Sequence, residues 1–110
     1  MAGKRRWIAY AAGVHGRVIV NAGAREAIIG GKASLLSSGV VRVEEQFEPQ
    51  DVVSIADFEG REFARGIINC TSTEAAALIA YREKTSGQHQ VGERARVLVT
   101  RDNIVLAEKR

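Results

Sequence analysis

The sequence is poor in the residues that build covalent, metal-held or stacked frameworks. Its 110 residues include one cysteine, one proline, one tryptophan, two tyrosines and three phenylalanines. A lone Cys70 cannot form an internal disulfide. With His15 and His89 as its only histidines, the chain cannot assemble a zinc cluster of the usual ligand count. A reducing, cytoplasmic setting fits that usage. The longest apolar runs, such as 75–80, fall far short of the ~18 residues of a membrane span. The start, Met1, Ala2, Gly3, Lys4, Arg5, Arg6, Trp7, has no continuous apolar stretch after its charges, so no signal peptide is expected.

Charge of one sign is also scarce. The net charge is +3, from 16 basic and 13 acidic residues. The basic side chains are interleaved with Glu26, Glu44, Glu45, Glu48 and Asp51, and the only cluster is Lys4, Arg5 and Arg6. The balance suits an anionic partner, but no dense block marks a nucleic-acid tail. What is abundant is apolar residue, 45% of the chain against 26% charged, which places it among globular proteins. On size alone one domain fits, burying roughly 60–70% of its unfolded surface.

The pattern predicts mostly short strands with two helices. Arg17, Val18, Ile19 and Val20 form a β-branched run between Gly16 and Asn21. Asn21 can cap a helix through Ile29, weakened by Gly23 and stopped at Gly30 and Gly31. Residues 40–45 read as a half-buried strand with Val41 and Val43 on one face opposite Arg42. Residues 52–56 and 62–70 read as a hairpin around Asp57, Phe58, Glu59 and Gly60, with Gly66 marking a bulge or a close backbone approach. Thr71 and Glu74 fit a capping box before an Ala/Leu-rich helix to about Arg82. Residues 96–100 and 104–106 read as strands around Arg101, Asp102 and Asn103. The fold class expected is mainly β with two short helices (α+β), a small closed or half-closed sheet rather than a doubly wound one.

Candidate sites are few, and each has a plain alternative. Gly30, Gly31, Lys32, Ala33 and Ser34 form a small-residue loop whose N–H groups and lysine could hold a phosphate, yet ending a helix is the better reading of the glycines, since a helix C-terminus is the wrong electrostatic end for an anion unless Lys32 offsets it. Phe47 and Phe63 fit core positions better than stacking platforms, and Cys70 fits a buried small hydrophobe. His15 and His89 fit solvated loops, and neither has a motif-linked partner for a nucleophilic triad. Trp7 and Tyr10 fit either a junction with another domain or a cap on this domain's own core. No Walker-type glycine-lysine loop and no GxGxxG is present, so no catalytic residue and no metal ligand is assigned.

Several signatures in order then carry a resemblance: Gly23-Ala24 at the helix start, the loop from Gly31 to the paired Leu35 and Leu36, Gly39-Val40, Asp51-Val52-Val53, and Ala64-Arg65-Gly66. Together they resemble the PUA domain that follows the amino-acid kinase domain in the glutamate 5-kinase family. The sequence departs from that pattern at Asn21, Ala22, Ser37 and Cys70. The resemblance implies a PUA-like small mixed-sheet pseudo-barrel over 15–110, with 1–14 as the lead-in from a preceding domain. It implies a non-catalytic role in oligomer assembly or proline feedback within an enzyme of proline biosynthesis that makes glutamyl 5-phosphate. ATP and Mg would belong to the absent kinase half, the partner domain of the same parent protein. A homo-oligomer and RNA are the other partners it suggests, with no membrane. An RNA-binding module is the alternative function, and the residues it points to are Arg25, Gly30, Gly31, Lys32, Ser34 and Arg65.

Overall fold

A computed structural model describes residues 13–31, 33–84 and 96–106. Strand β1 spans Val14–Val20. It starts three residues earlier than the β-branched run because Gly16, at φ +147, carries the chain through an irregularity between Val14 and Arg17. Asn21 then caps helix α1, Ala22–Ile29, its side-chain oxygen accepting the Ala24 N–H at 2.8 Å. Gly30 and Gly31 stop the helix, Gly31 in the left-handed region at φ +79, as a glycine stop should.

Strand β2, Leu35–Leu36, leads through a 3₁₀ turn, Ser37–Gly39, into β3, Val40–Glu44. Strands β4, Val52–Ala56, and β5, Glu62–Ile67, form the hairpin read from the sequence. Helix α2, Ser72–Lys84, opens on the expected reciprocal cap. The Thr71 N–H donates to Glu74 Oε1 and the Glu74 N–H to Thr71 Oγ1, both at 3.0 Å. Strand β6, Val97–Val99, a second 3₁₀ turn, Arg101–Asn103, and β7, Ile104–Leu106, complete the described chain.

The strands make a five-stranded sheet in the order β3-β1-β4-β5-β7 and a two-stranded sheet, β2-β6. β1 and β4 run parallel and the other pairs antiparallel, so the larger sheet is mixed. Val18, Val20, Val53, Ile55, Ala64 and Ile104 point from it into one core, met by Leu35, Leu98 and Val99 of the smaller sheet. Ile28 of α1 and Ala75 and Ile79 of α2 close the ends. This is the mixed-sheet, mainly β arrangement with two helices that the sequence implies.

Phe47 is 2% exposed, and its ring fills the space over Gly16, where a Cβ would lie 2.7 Å from Phe47 Cδ2. Its backbone is tied to the start of α2, with Phe47 N–H donating to Ser72 Oγ at 3.3 Å and Ser72 N–H to Phe47 O at 3.1 Å. Cys70 is fully buried, as expected of a small hydrophobe, and burial pushes its thiol pKa up.

The structure corrects two local readings, of the Val41 face and of the 62–70 strand, and adds the pairing of the last two strands. Val41 does not share a buried face with Val43. A bulge opposite Ile19/Val20 pairs Val20 with Val40 and Ile19 with Arg42, so the alternation slips: Val40 is fully buried and Val41 is exposed. The strands flanking Arg101, Asp102 and Asn103 do not pair with each other; β6 joins β2 and β7 joins β5. The strand read over 62–70 ends at Ile67, after which Ile68 and Asn69 donate their N–H groups to Asp51 O and Leu98 O. The expected lead-in also overlaps the sheet, since Val14 already lies in β1, while residues 1–12, with Trp7 and Tyr10, lie outside the described residues.

Gly66 marks the close approach expected of it: an added Cβ would lie 2.7 Å from Val99 Cγ1 and 3.0 Å from Asn103 O. Gly66→Ala should therefore destabilise the fold by about 1–3 kcal/mol through overpacking. Gly23→Ala, where the nearest atom is 3.6 Å away, should stabilise α1 by about 0.5–1 kcal/mol. Urea unfolding midpoints of the two variants against the parent chain read both signs in one experiment.

Candidate functional site

Three of the residues predicted from the sequence lie on or just after α1. The Arg25 guanidinium carbon sits 5.5 Å from the centroid of the Phe63 ring. Its Nε lies 3.7 Å from Asp57 Oδ2, and that nitrogen is buried without a hydrogen bond. Arg25 is thus a strut between α1 and the β4-β5 hairpin, combining a cation–π contact with a loose ion pair. Gly30 and Gly31 turn their N–H groups back into the helix, to Glu26 O at 3.0 Å and Ile28 O at 2.8 Å. Those donors close the helix end, which is the plain alternative the sequence left open. Lys32 lies outside the described residues.

Ser34 has a different task. Its Oγ accepts the Arg101 N–H at 2.9 Å and so ties the post-helix loop to the second 3₁₀ turn. Arg65 stands away from all of these. On β5 it pairs with Ser54 of β4 and Val105 of β7, on the sheet face opposite the Ala64 side chain that joins the core. The predicted residues therefore do not converge on one surface. Arg25 serves the hairpin, the glycines and Ser34 serve the loop, and Arg65 belongs to the outer sheet face.

That outer face holds a constellation that sequence reasoning missed. Register places Glu44, Arg17, Ser54 and Arg65 side by side across β3, β1, β4 and β5. Glu62 joins them because the shift between Ile55 and Ala56 leaves Phe63 without a cross-strand partner. A bulge of this kind brings residues three apart onto one face. Glu62 Oε1 accepts from Ser54 Oγ and Oε2 from Arg65 Nε, both at 2.8 Å. Arg17 Nη1 lies 3.9 Å from Glu44 Oε1, and Arg42 binds the same carboxylate at 3.1 Å. A depression of about 350 Å³ opens here, lined also by Val14 and Glu45. The one sequence signal for it was Ser54, a hydroxyl in the apolar run of β4 and 3% exposed. The partners it gathers depend on pairing that no local pattern encodes.

Among the described residues, no group of three or more His, Cys, Asp or Glu side chains lies close enough to hold a metal ion. No helix among them is long and apolar enough to cross a membrane.

The β4-β5 turn sets a hydrogen-bonded carboxylate beside the first helix. Asp57 Oδ1 accepts the N–H groups of Arg61 and Glu59, each at 3.0 Å. The Arg61 backbone N–H holds the Asp57 carboxyl below its ordinary value of 3.8, against partial desolvation and with help from the Glu59 N–H and from Arg25. Because the folded value is the lower one, this contribution to stability is complete above 3.8 and is lost as the pH falls through the folded value. Asp57→Asn should therefore flatten the acid limb of the stability curve below pH 3.8. Denaturant midpoints measured across that range test this, and an unchanged slope would remove Asp57 from the account.

Comparison with known proteins places this geometry. Residues 16–85 match the PUA domain family. The chain is 38% identical over 104 residues to the glutamate 5-kinase of Synechococcus elongatus, covering 94% of this chain and 28% of that enzyme. It is 36% identical over 110 residues to the glutamate 5-kinase of a Thermoanaerobacter species, with 96% and 28% covered. It thus spans little more than a quarter of the length of these relatives. Among solved structures, a PUA domain from Aeropyrum pernix in a tartrate complex superposes with a TM-score of 0.56 at 30% identity, over 80% of this chain and 44% of that one.

Proposed function

Because the chain belongs to the PUA domain family, we propose that it works as the non-catalytic accessory domain of a glutamate 5-kinase, acting on assembly or on feedback inhibition by proline. The observation that carries this reading is the lopsided coverage: 94% of the chain is matched by only 28% of the Synechococcus enzyme. Phosphoryl transfer needs a phosphate cradle, Mg²⁺ and a charge-stabilising lysine or arginine acting together. ATP and Mg²⁺ are therefore assigned to a kinase domain that this chain would accompany.

The ion pairs support an accessory role over an RNA groove. Arg25 faces Asp57 and Arg65 faces Glu62, so both guanidiniums proposed for phosphate contact already work inside the domain. A surface that binds RNA through several phosphates needs cations not internally neutralised, and its affinity falls steeply with salt.

The chain alone, supplied with ATP, Mg²⁺ and glutamate, should form no γ-glutamyl phosphate, measured by trapping the product with hydroxylamine. Grafted in place of the matched segment of the Synechococcus enzyme, it should restore whatever oligomeric mass and proline sensitivity the truncated enzyme loses. A chimera indistinguishable from the truncated enzyme would overturn the accessory reading. Salt-sensitive binding of structured RNA by the chain would favour the alternative.

A further inference from the structure

The tip of the β4-β5 hairpin displays an aromatic side chain that the core does not use. Phe58 is 61% exposed, more than any other large apolar side chain among the described residues. The turn that carries it is tightly held. Asp57 N–H donates to Arg61 O at 3.0 Å, Gly60 N–H donates to Asp57 O at 2.8 Å, and Asp57 Oδ1 accepts the Glu59 and Arg61 N–H groups. Gly60 turns the chain at φ +89, and Arg25 braces Asp57 from α1. A turn fixed in this way keeps the ring in water instead of letting it fold back onto the surface. The ordering cost of an anchor is thereby met in advance, and a rigid aromatic is the side chain that protein contacts favour at their centre.

The charges beside the ring select the neighbour. Glu59 and Arg61 flank Gly60, with side chains 58% and 80% exposed. Glu59 Oε1 and Arg61 Nη2 stand 3.8 Å apart, too far for a hydrogen bond, so the pair is loose. The tip thus presents an anion, a cation and a ring, a pattern complementary to itself. Brought together about a two-fold axis, two tips set Glu59 of each against Arg61 of the other with the rings packed between them. A tip with balanced charge exerts no net pull on a polyanion or an anionic membrane, whereas two like tips attract. We propose that this hairpin tip is a self-association site at which two copies of the chain meet, Phe58 on Phe58 and Glu59 on Arg61 in both directions. The turn follows Ala56, at the end of β4 opposite Val52, and Val52 pairs with Val14. The contact therefore sits at the opposite pole from the start of β1. Two turns bury far less than the ~1,200 Å² of a stable complex, so the pair is weak, with a dissociation constant of about 1 mM. It gains weight where copies are held at millimolar effective concentration, as within an oligomer. The contact is made by this chain alone and stands independently of the accessory reading.

The test is a dilution series of the ¹⁵N-labelled chain from about 2 mM to about 0.05 mM, with sedimentation velocity at both ends. Amide shifts at 57–61 should move with concentration, and Phe58→Ser should abolish the movement. Glu59→Arg and Arg61→Glu should each weaken self-association by about fivefold or more, because each leaves the tip with charges of one sign. An equimolar mixture of these two variants should associate at least as tightly as the parent chain, since a basic tip then meets an acidic one. The hydrogen bonds of the turn come from Asp57 and the backbone, so all three variants should keep the parent's urea midpoint, which separates a lost contact from a lost fold. Shifts at 57–61 that do not change on dilution, or a mixture that associates no better than either variant alone, would overturn the site. Concentration-dependent shifts confined to another face would overturn it too. So would a chain that stays monomeric while its tip responds to structured RNA or to anionic vesicles, since the ring would then serve a different partner.

Discussion

The parallel pairing of β1 with β4 is the constraint on which the rest of the structure depends. Two parallel neighbours cannot be joined by a tight turn, so the chain must leave one end of the sheet and return to the other. Here α1, β2 and β3 occupy that crossing, and β3 comes back along the far side of β1. β1 is thereby enclosed between β3 and β4, and β4 between β1 and β5. Both are buried accordingly: Val18, Ile19 and Val20 are fully buried, as are Val53, Ile55 and Ala56. The outer-face row exists for the same reason, since only this pairing sets Arg17 of the first strand beside Ser54 of the fourth.

The features legible in the sequence were those decided within a few residues. The Asn21 cap, the glycine stop, the Thr71–Glu74 capping box and the β4-β5 turn all close hydrogen bonds over short separations, and their residue types state what they do. Gly66 was legible as a close approach, although not what approaches it. The misreadings share one cause. Val41 was placed by alternation, which a bulge in the β1-β3 ladder overrides. The strands around Arg101, Asp102 and Asn103 are adjacent in sequence, yet each finds a partner more than thirty residues upstream. Non-local pairing also explains why the site residues were divided: Arg25 and Arg65 belong to different faces, and Arg17 and Glu45 carried no motif.

The ion pairs change what the positive net charge means. A surplus of +3 suggests an anion-seeking surface when read as composition. In the fold, Arg17, Arg25, Arg42, Arg61 and Arg65 each face a carboxylate. Such exposed pairs contribute little stability apiece, but they flatten the local potential where a polyanion would have to dock. The described surface is a mosaic of both signs, better suited to small ligands or protein neighbours than to a phosphate backbone.

The contact between Gly16 and Phe47 ties two distant positions into one unit of variation. The ring occupies the volume that any side chain at 16 would need, and the backbone there, at φ +147, is one that L residues rarely adopt. A smaller residue at 47 would leave a void at the junction of β1 and α2 that no substitution at 16 could fill without also turning the strand. Drift at either position is therefore blocked singly and open only to a paired change with a backbone adjustment. Aligned relatives with this fold should keep the glycine and the aromatic together or lose them together.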